Sequence, residues 1–368
     1  MESSSHQSVR ILLALSSDLL AFIPITEGRV TLPAETAHYR ILKTFKMVSI
    51  MIISGIVAIL AVGFMWADCD LALQFLPYSS LDKSFANQTI WITGASSGIG
   101  AVLAEELTAG GAQVIISARR VNQLEGVAEK CAAVGLTPMI LPFDALDFDE
   151  HDKAFQEIVE KFGGVDVLVL NAGRAQRALA MDTQLTDSRQ LFELNFFSYV
   201  NLAKIVVPTM TSRKSGGQVV VVSSISGKLG TPLASSYSGT KYALHGYFDA
   251  LRSEVSSKNV NVQIVCPGPV ESEISEHSFK SELTKQSPKE VKMPTARCTY
   301  LMAKGLKWKL DEIWITNQPV LIIAYLAEYL PFVSRQLMKH VIGPGRVKAL
   351  ETGGNIYDLK TVLGFKSK

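Results

Sequence analysis

Ser224, Tyr237 and Lys241 are residue types that could together move a proton onto a carbonyl oxygen. They lie downstream of a glycine-rich turn, Thr93-Gly94-Ala95-Ser96-Ser97-Gly98-Ile99-Gly100. Tyr237 and Lys241 stand at i and i+4, the spacing that puts two side chains on one face of a helix. A phenol titrates near ~10 and is a weak acid at neutral pH. An ammonium one turn away favours the phenolate and brings the proton-transfer pKa nearer to working pH. A serine hydroxyl at the end of the segment 219–224 can hold a substrate oxygen beside the phenol, where a donor matters most as oxyanion charge develops. A Tyr-x-x-x-Lys pair alone is usually an ordinary helix face; the glycine turn upstream gives it weight.

The elements that must position these groups are legible as alternating patterns. Thr89–Thr93 is a short apolar, β-branched run that reads as a buried strand, and helical spacing resumes at 101–107. Strand, glycine turn and helix are the context of a dinucleotide cradle, although the spacing here is Gly-x-x-x-Gly-x-Gly and not Gly-x-Gly-x-x-Gly. Backbone approaches phosphate closely at such a turn, and the helix N-terminus adds free N–H groups. The cofactor contacts assigned here are Gly94, Ser96, Ser97, Gly98, Ile99 and Gly100. The next strand, Gln113–Ser117, runs into Ala118-Arg119-Arg120. NAD would call for an acid there, at the ribose; a guanidinium pair stands instead, suited to a 2′-phosphate, with Arg119 as the assigned contact and NADP(H) as the expected cofactor. A third strand ends over 139–144, setting Asp144 toward the adenine edge. A fourth, 165–170, closes on Asn171-Ala172-Gly173, whose small residues let a cofactor lie against the strand ends. The alternation from 89 to 266 predicts an α/β fold, a Rossmann-like doubly wound parallel sheet. Long helices are expected over 185–210 and Ser235–Val255, the second with serine caps near its start.

The Thr-Gly-x-x-x-Gly-x-Gly turn, Asn171-Ala172-Gly173, Ser224, Tyr237-x-x-x-Lys241 and Pro267-Gly268 together resemble the short-chain dehydrogenase/reductases, from about residue 85 to 266 and more loosely beyond. The resemblance implies a role at each matching position. Asn195 matches the asparagine that supports a water-linked proton relay, and Ser224 orients the carbonyl. Tyr237 donates the proton, while Lys241 holds the nicotinamide ribose and lowers the tyrosine pKa. Asn171, Pro267 and Gly268 adjoin the cofactor. Leu170 replaces the first asparagine of the usual Asn-Asn-Ala-Gly, and Ser272 stands where many relatives have threonine. The resemblance further implies a homodimer, built on 185–210 and Ser235–Val255, and lipophilic substrates such as steroid, retinoid or xenobiotic carbonyls and alcohols. Two other readings stay open: an NAD-dependent alcohol dehydrogenase, and a catalytically silent nucleotide-binding scaffold. The scaffold reading predicts loss of a catalytic residue, yet Asn195, Ser224, Tyr237 and Lys241 are all present.

At 368 residues the chain exceeds the ~250 that one such unit fills. Residues 47–66 carry no charge, span enough to cross ~30 Å of hydrocarbon, and lack a small-residue cleavage site. The expected organisation is an extension (1–46), a transmembrane anchor (47–66), a linker (67–84), the enzyme domain (85–333) and a tail (334–368). The expected location is the endoplasmic reticulum membrane, through a single N-terminal span. Arg40, Lys43 and Lys46 before the span, with Asp68 and Asp70 after it, set the N-terminus in the cytosol by the positive-inside rule. Met47 is an alternative start, and without residues 1–46 that basic flank vanishes.

A net charge of +2 with scattered lysines and arginines gives no patch for nucleic acid. The four cysteines and six histidines have no paired or metal-like spacing, so neither a disulfide framework nor a metal site is expected. Segment 272–291 is polar and lysine-rich, the place for a mobile substrate loop or a surface insertion. Segment 319–333 is apolar but short and contains Glu328, which suits a packed helix better than a membrane-grazing one.

Overall fold

The computed structural model describes residues 34–77, 80–275, 278–280 and 292–351. The chain divides into two compact units, Met1–Val62 and Gly63–Lys368. Most of 47–66 falls in a helix, Ala34–Met65, whose side chains at 56–61 lie outside the described ones. Among the described residues, no helix is long and apolar enough to cross a membrane. The expected anchor is therefore not shown by the structure.

Among its described residues the larger unit has nine strands: β1 (Thr89–Thr93), β2 (Gln113–Ser117), β3 (Met139–Ile140), β4 (Val167–Leu170), β5 (Gln176–Arg177), β6 (Gly217–Val222), β7 (Val260–Pro267), β8 (Phe279–Lys280) and β9 (Glu312–Ile315). Seven form one parallel sheet in the order β3-β2-β1-β4-β6-β7-β9, and β5 pairs with β8 apart from it. The strands of the seven-stranded sheet are mostly apolar because helices cover both faces. Successive side chains alternate between two cores. Trp91, Leu168, Val219, Val221 and Ile264 face Tyr199, Val206 and Phe248, while Ile90, Ile92, Val114 and Val220 face Leu103, Leu107 and Leu301. This is the predicted Rossmann-like doubly wound sheet. The chain order reverses between β1 and β4, so a crevice opens past their C-terminal ends, where ligands bind in such sheets.

Several elements differ from expectation. The third strand stops at Ile140, since Pro142 has no N–H to give the ladder. The helix expected over 185–210 is Leu185–Phe192 and Ser198–Ser212 joined by a π turn, Glu193–Phe197. The segment expected as a linker packs closely: Cys69 bridges Ile315, Asp70 Oδ2 accepts the N–H of Trp314 at 2.6 Å, and Lys304 Nζ donates to the carbonyls of Leu73 and Leu76 at 3.1 and 2.9 Å. It thereby covers the edge strand β9, whose open hydrogen-bonding groups would otherwise invite pairing. Residues 319–333 form two helices, Val320–Tyr329 and Pro331–Leu337, with Leu321 and Ala324 fully buried, so the segment packs on the fold. The expected loop 272–291 lies largely outside the described residues, apart from Glu273–Ser275 and β8.

Candidate active site

The cradle forms where β1 and β4 end. Gly94 and Gly98 adopt φ of +66° and +57°, a region that side chains other than glycine rarely occupy. A Cβ on Gly94 would stand 2.6 Å from Ala172 Cα, and one on Gly100 would stand 2.5 Å from the Gly94 carbonyl oxygen. Thr93 and Asn171 lock the two strand ends together. Thr93 Oγ1 accepts the N–H groups of Asn171 and Ala172 at 3.1 and 3.3 Å, and Asn171 Nδ2 donates to the carbonyls of Thr93 and Gly94, both at 3.1 Å. Asn171 is thus a brace as well as a lining residue. Helix Gly98–Ala109 begins at Ser97 with no side-chain cap, which leaves its first-turn N–H groups without a side-chain acceptor.

The two arginines after β2 are not equivalent. Arg119, the assigned contact, is 69% exposed and meets Asp144 only at 3.6 Å. Arg120 folds back over the turn: its guanidinium donates to Ser96 Oγ and Ser97 Oγ, both at 2.9 Å, and to Glu273 Oε2 at 3.3 Å. Ser96, Ser97, Gly98, Ile99, Arg119, Arg120, Asp144 and Asn171 all line one cavity of about 410 Å³.

The proton-handling residues border a second cavity of about 230 Å³, which shares Ile99, Asn171, Gly173 and Ser272 with the first. Ser224 follows β6, and its hydroxyl donates to the Pro267 carbonyl at 3.3 Å while accepting the N–H of Ser226 at 3.1 Å. Helix Ser235–Val255 has no cap from its own flank. Gln176 Oε1, on β5, accepts the N–H groups of Ser236 and Tyr237 at 2.8 and 3.1 Å. The serine caps expected near this start are not used; sequence reasoning missed Gln176 because its partner is sixty residues away, with no local pattern to betray it.

Tyr237 and Lys241 do share a helix face at the cavity. Lys241 is 4% exposed. Its Nζ donates to the Val222 carbonyl at 2.8 Å and lies 5.5 and 5.7 Å from the ring centres of Tyr199 and Tyr237. Burial brings its pKa down from 10.5 to about 7. Tyr199, unremarked in the sequence, is fully buried, and burial pushes its phenol well above the ordinary range.

Asn195 sits on the π turn, behind the cavity wall. It clasps the Arg174 main chain in both directions at 2.9 Å and reaches Thr240 Oγ1 at 3.3 Å, and that hydroxyl donates to the Tyr237 carbonyl at 2.7 Å. Gly268 admits no side chain, since a Cβ would stand 2.0 Å from Thr316 Oγ1. Ser224, Tyr237, Lys241, Asn171, Pro267 and Gly268 therefore meet at one cavity, with Asn195 one layer behind. Arg119 and Asp144 stand apart, at the rim of the other. The arrangement combines a buried lysine, a phenol and a hydroxyl beside a glycine cradle.

A doubly wound sheet with this cradle and this tyrosine–lysine helix defines a class, and the chain belongs to it: the family described as short chain dehydrogenase matches residues 88–283, and its members are oxidoreductases built on a nicotinamide cofactor. Over 279 residues the chain is 39% identical to human dehydrogenase/reductase SDR family member 7, covering 73% of this chain and 82% of that protein. It is 37% identical over 212 residues to the hydroxysteroid 11-beta-dehydrogenase 1-like protein of Gallus gallus, covering 57% and 69%. Among solved structures, a short-chain dehydrogenase from Streptomyces avermitilis superposes with a TM-score of 0.59 at 28% identity, covering 68% of this chain and 95% of that one. An alcohol dehydrogenase of Thermococcus sibiricus, complexed with 5-hydroxy-NADP, shares the fold with a TM-score of 0.56 at 22% identity, covering 63% and 97%.

Proposed function

We propose that this oxidoreductase uses NADP(H) to interconvert carbonyl and alcohol groups on lipophilic molecules, at a membrane to which residues 47–66 anchor it. The observation that carries the reading is the convergence of Ser224, Tyr237 and Lys241 on one cavity that runs into the glycine cradle. Gly94, Gly98 and Gly100 leave the room a pyrophosphate needs, and the uncapped start of helix Gly98–Ala109 supplies N–H groups for it. Arg119 and Arg120 would take the 2′-phosphate, Asp144 the adenine edge, Tyr237 and Lys241 the nicotinamide ribose, and Asn171, Pro267 and Gly268 the nicotinamide. When bound, that cofactor gives a hydride to the carbonyl carbon or takes one from the carbinol.

The chain's own groups handle the oxygen. Ser224 Oγ can turn its proton from the Pro267 carbonyl to the substrate oxygen, and Tyr237 then transfers its phenolic proton to that oxygen. A protonated Lys241 stabilises the phenolate left behind. Asn195 steadies the Arg174 segment and, through Thr240, the first turn of the Tyr237 helix; its part in a water-linked relay rests on the family resemblance. Leu229, Val320, Ile323 and Met338 give the second cavity apolar walls, which suits a steroid, retinoid or xenobiotic carbonyl, and the hydroxysteroid name of one relative agrees. The uncharged stretch 47–66 supports the anchor, in the endoplasmic reticulum membrane. A homodimer through helices Leu185–Phe192, Ser198–Ser212 and Ser235–Val255 completes the reading. The test is NADPH consumption by the detergent-solubilised protein against a panel of lipophilic ketones, aldehydes and quinones. Turnover that drops ~10²-fold or more in Tyr237→Phe, with NADPH binding retained, is the expected result; full activity in that variant removes Tyr237 from the mechanism.

A further inference from the structure

One more i+4 step along the helix beyond Tyr237 and Lys241 stands His245, which is 7% exposed and has no part in the site described above. Its Nε2 lies 3.2 Å from Ser223 Oγ and 3.6 Å from Cys266 Sγ, and its Nδ1 lies 3.4 Å from Glu312 Oε2. Each neighbour adjoins the active site or anchors its walls. Ser223 precedes Ser224, Cys266 precedes Pro267, and Ser223 Oγ lies 3.4 Å from the main-chain oxygen of Lys241. One imidazole therefore touches the C-terminal ends of β6 and β7 and the first residue of β9 from the helix that carries the tyrosine and the lysine.

Beyond it, Glu312 Oε1 accepts from Lys228 Nζ at 2.9 Å and Trp314 Nε1 at 2.5 Å. Burial pushes the Glu312 carboxyl up, but His245, Lys228 and Trp314 together hold it down at about 2, so it is an anion at any working pH. Gly227 seals the pocket: a Cβ there would stand 2.8 Å from Ser223 Oγ and 2.9 Å from the imidazole ring.

Two other uses of this cluster fail on geometry. His245, Cys266 and Glu312 offer ligand atoms within 4.8 Å of one another. The thiol approaches Nε2 and the carboxylate approaches Nδ1, however, and one ring cannot turn both nitrogens on a single ion. The Lys228 ammonium also already neutralises the carboxylate. The Ser223–His245–Glu312 order matches a hydrolytic triad. Ser223 is only 3% exposed, and the one proton of its hydroxyl has His245 Nε2 and the Lys241 carbonyl as its nearby acceptors.

We infer that His245 is a positioning residue for the reaction, coupling the strand end that bears Ser224 to the helix that bears Tyr237 and Lys241. The Glu312 anion favours an imidazole proton on Nδ1, leaving Nε2 to take the single Ser223 hydroxyl proton at 3.2 Å in preference to the Lys241 carbonyl at 3.4 Å. At 3.4 Å, and with Nδ1 outside hydrogen-bond geometry, the Glu312 contact is electrostatic more than a formed bond. The firm contact is the one to Ser223. With its hydroxyl held, Ser223 fixes where Ser224 leaves the sheet, and a small displacement there would misaim the substrate oxygen.

The inference rests on the proposed carbonyl chemistry, and kinetics on the full-length protein with NADPH and a reducible carbonyl test it. His245→Phe keeps an aromatic ring, slightly larger, without the acceptor and should lower kcat roughly tenfold, with the KM for NADPH within about twofold. His245→Gln, whose amide oxygen can reach the Nε2 position, should recover most of that loss. Ser223→Ala should lose as much as His245→Phe, and the double variant no more than either, because the two act through one hydrogen bond. An unchanged kcat in Ser223→Ala, losses that multiply in the double variant, or no recovery with Gln would overturn the inference. If His245→Phe does not fold, Ser223→Ala decides alone. A crystal structure of Ser223→Ala gives a readout independent of turnover: Ser224 displaced from the Pro267 carbonyl supports the inference, and an unmoved Ser224 overturns it. Wild-type protein that turns over no carbonyl would count instead against the proposed function.

Discussion

Lys241 is under two opposed demands. Burial brings its pKa to about 7, while stabilising a phenolate requires the ammonium. Below pH 7 both folded and unfolded chains hold the proton, and the buried charge costs its full amount. Between 7 and 10.5 the folded chain has released a proton that the unfolded chain keeps, so stability rises with pH through that window. Lys241→Met should therefore be more stable than the wild type by roughly 1–3 kcal/mol at pH 6 while losing turnover, the gap closing toward pH 10. Denaturant titrations at the two pH values check it; an equal gap at both would mean that the ammonium is not desolvated. Arg120 makes a second residue-scale prediction: Arg120→Ala should raise the Kd for NADPH about tenfold and leave NADH nearly unchanged, read by fluorescence titration. Equal loss for both cofactors would assign Arg120 to the turn's structure alone. Ser224, Tyr237 and Lys241 were legible in the sequence because proton transfer dictates both their types and the i+4 step. The fold-back of Arg120 onto Ser96 and Ser97 was not, because spacing does not say which way a side chain turns.

At the scale of elements, the helix Ser235–Val255 depends on a cap from another strand. Gln176→Ala should cost about 1 kcal/mol, as loss of an N-cap does, and should lower kcat by loosening the turn that carries Tyr237. Thermal unfolding and steady-state kinetics on the same preparation check both halves; a stability loss without a kinetic one would separate the cap from the site. β1, β2 and this helix were read with their observed bounds, since apolar runs and i+4 periodicity are local signals. The π turn at Glu193–Phe197 was not, for the sequence reads as uninterrupted helix on both sides and the departure serves the tertiary clasp of Asn195 on Arg174. The shortened β3 had its signal in Pro142, whose missing N–H ends the ladder.

For the whole molecule, the doubly wound sheet follows from alternation of strand and helix patterns, and its switch point falls beside the glycine turn. What the pattern could not show is closure over long sequence distance: Asp70 fastens to Trp314 and Lys304 to Leu73 and Leu76, turning an expected linker into a cover for β9. Residues 47–66 carry the membrane part of the account. Full-length protein should stay with the membrane fraction after alkaline carbonate extraction, and Ile53→Lys with Ile59→Lys should release it. Retention of the double variant would move the attachment elsewhere. The central claim, that Tyr237 protonates a carbonyl oxygen as NADPH reduces its carbon, is tested most directly with NADPH deuterated at C4. The account predicts deuterium at the carbinol carbon of the product with wild-type protein and at least ~10²-fold less product with Tyr237→Phe at unchanged NADPH affinity. Unlabelled alcohol, or labelled alcohol formed equally fast by the variant, would contradict it.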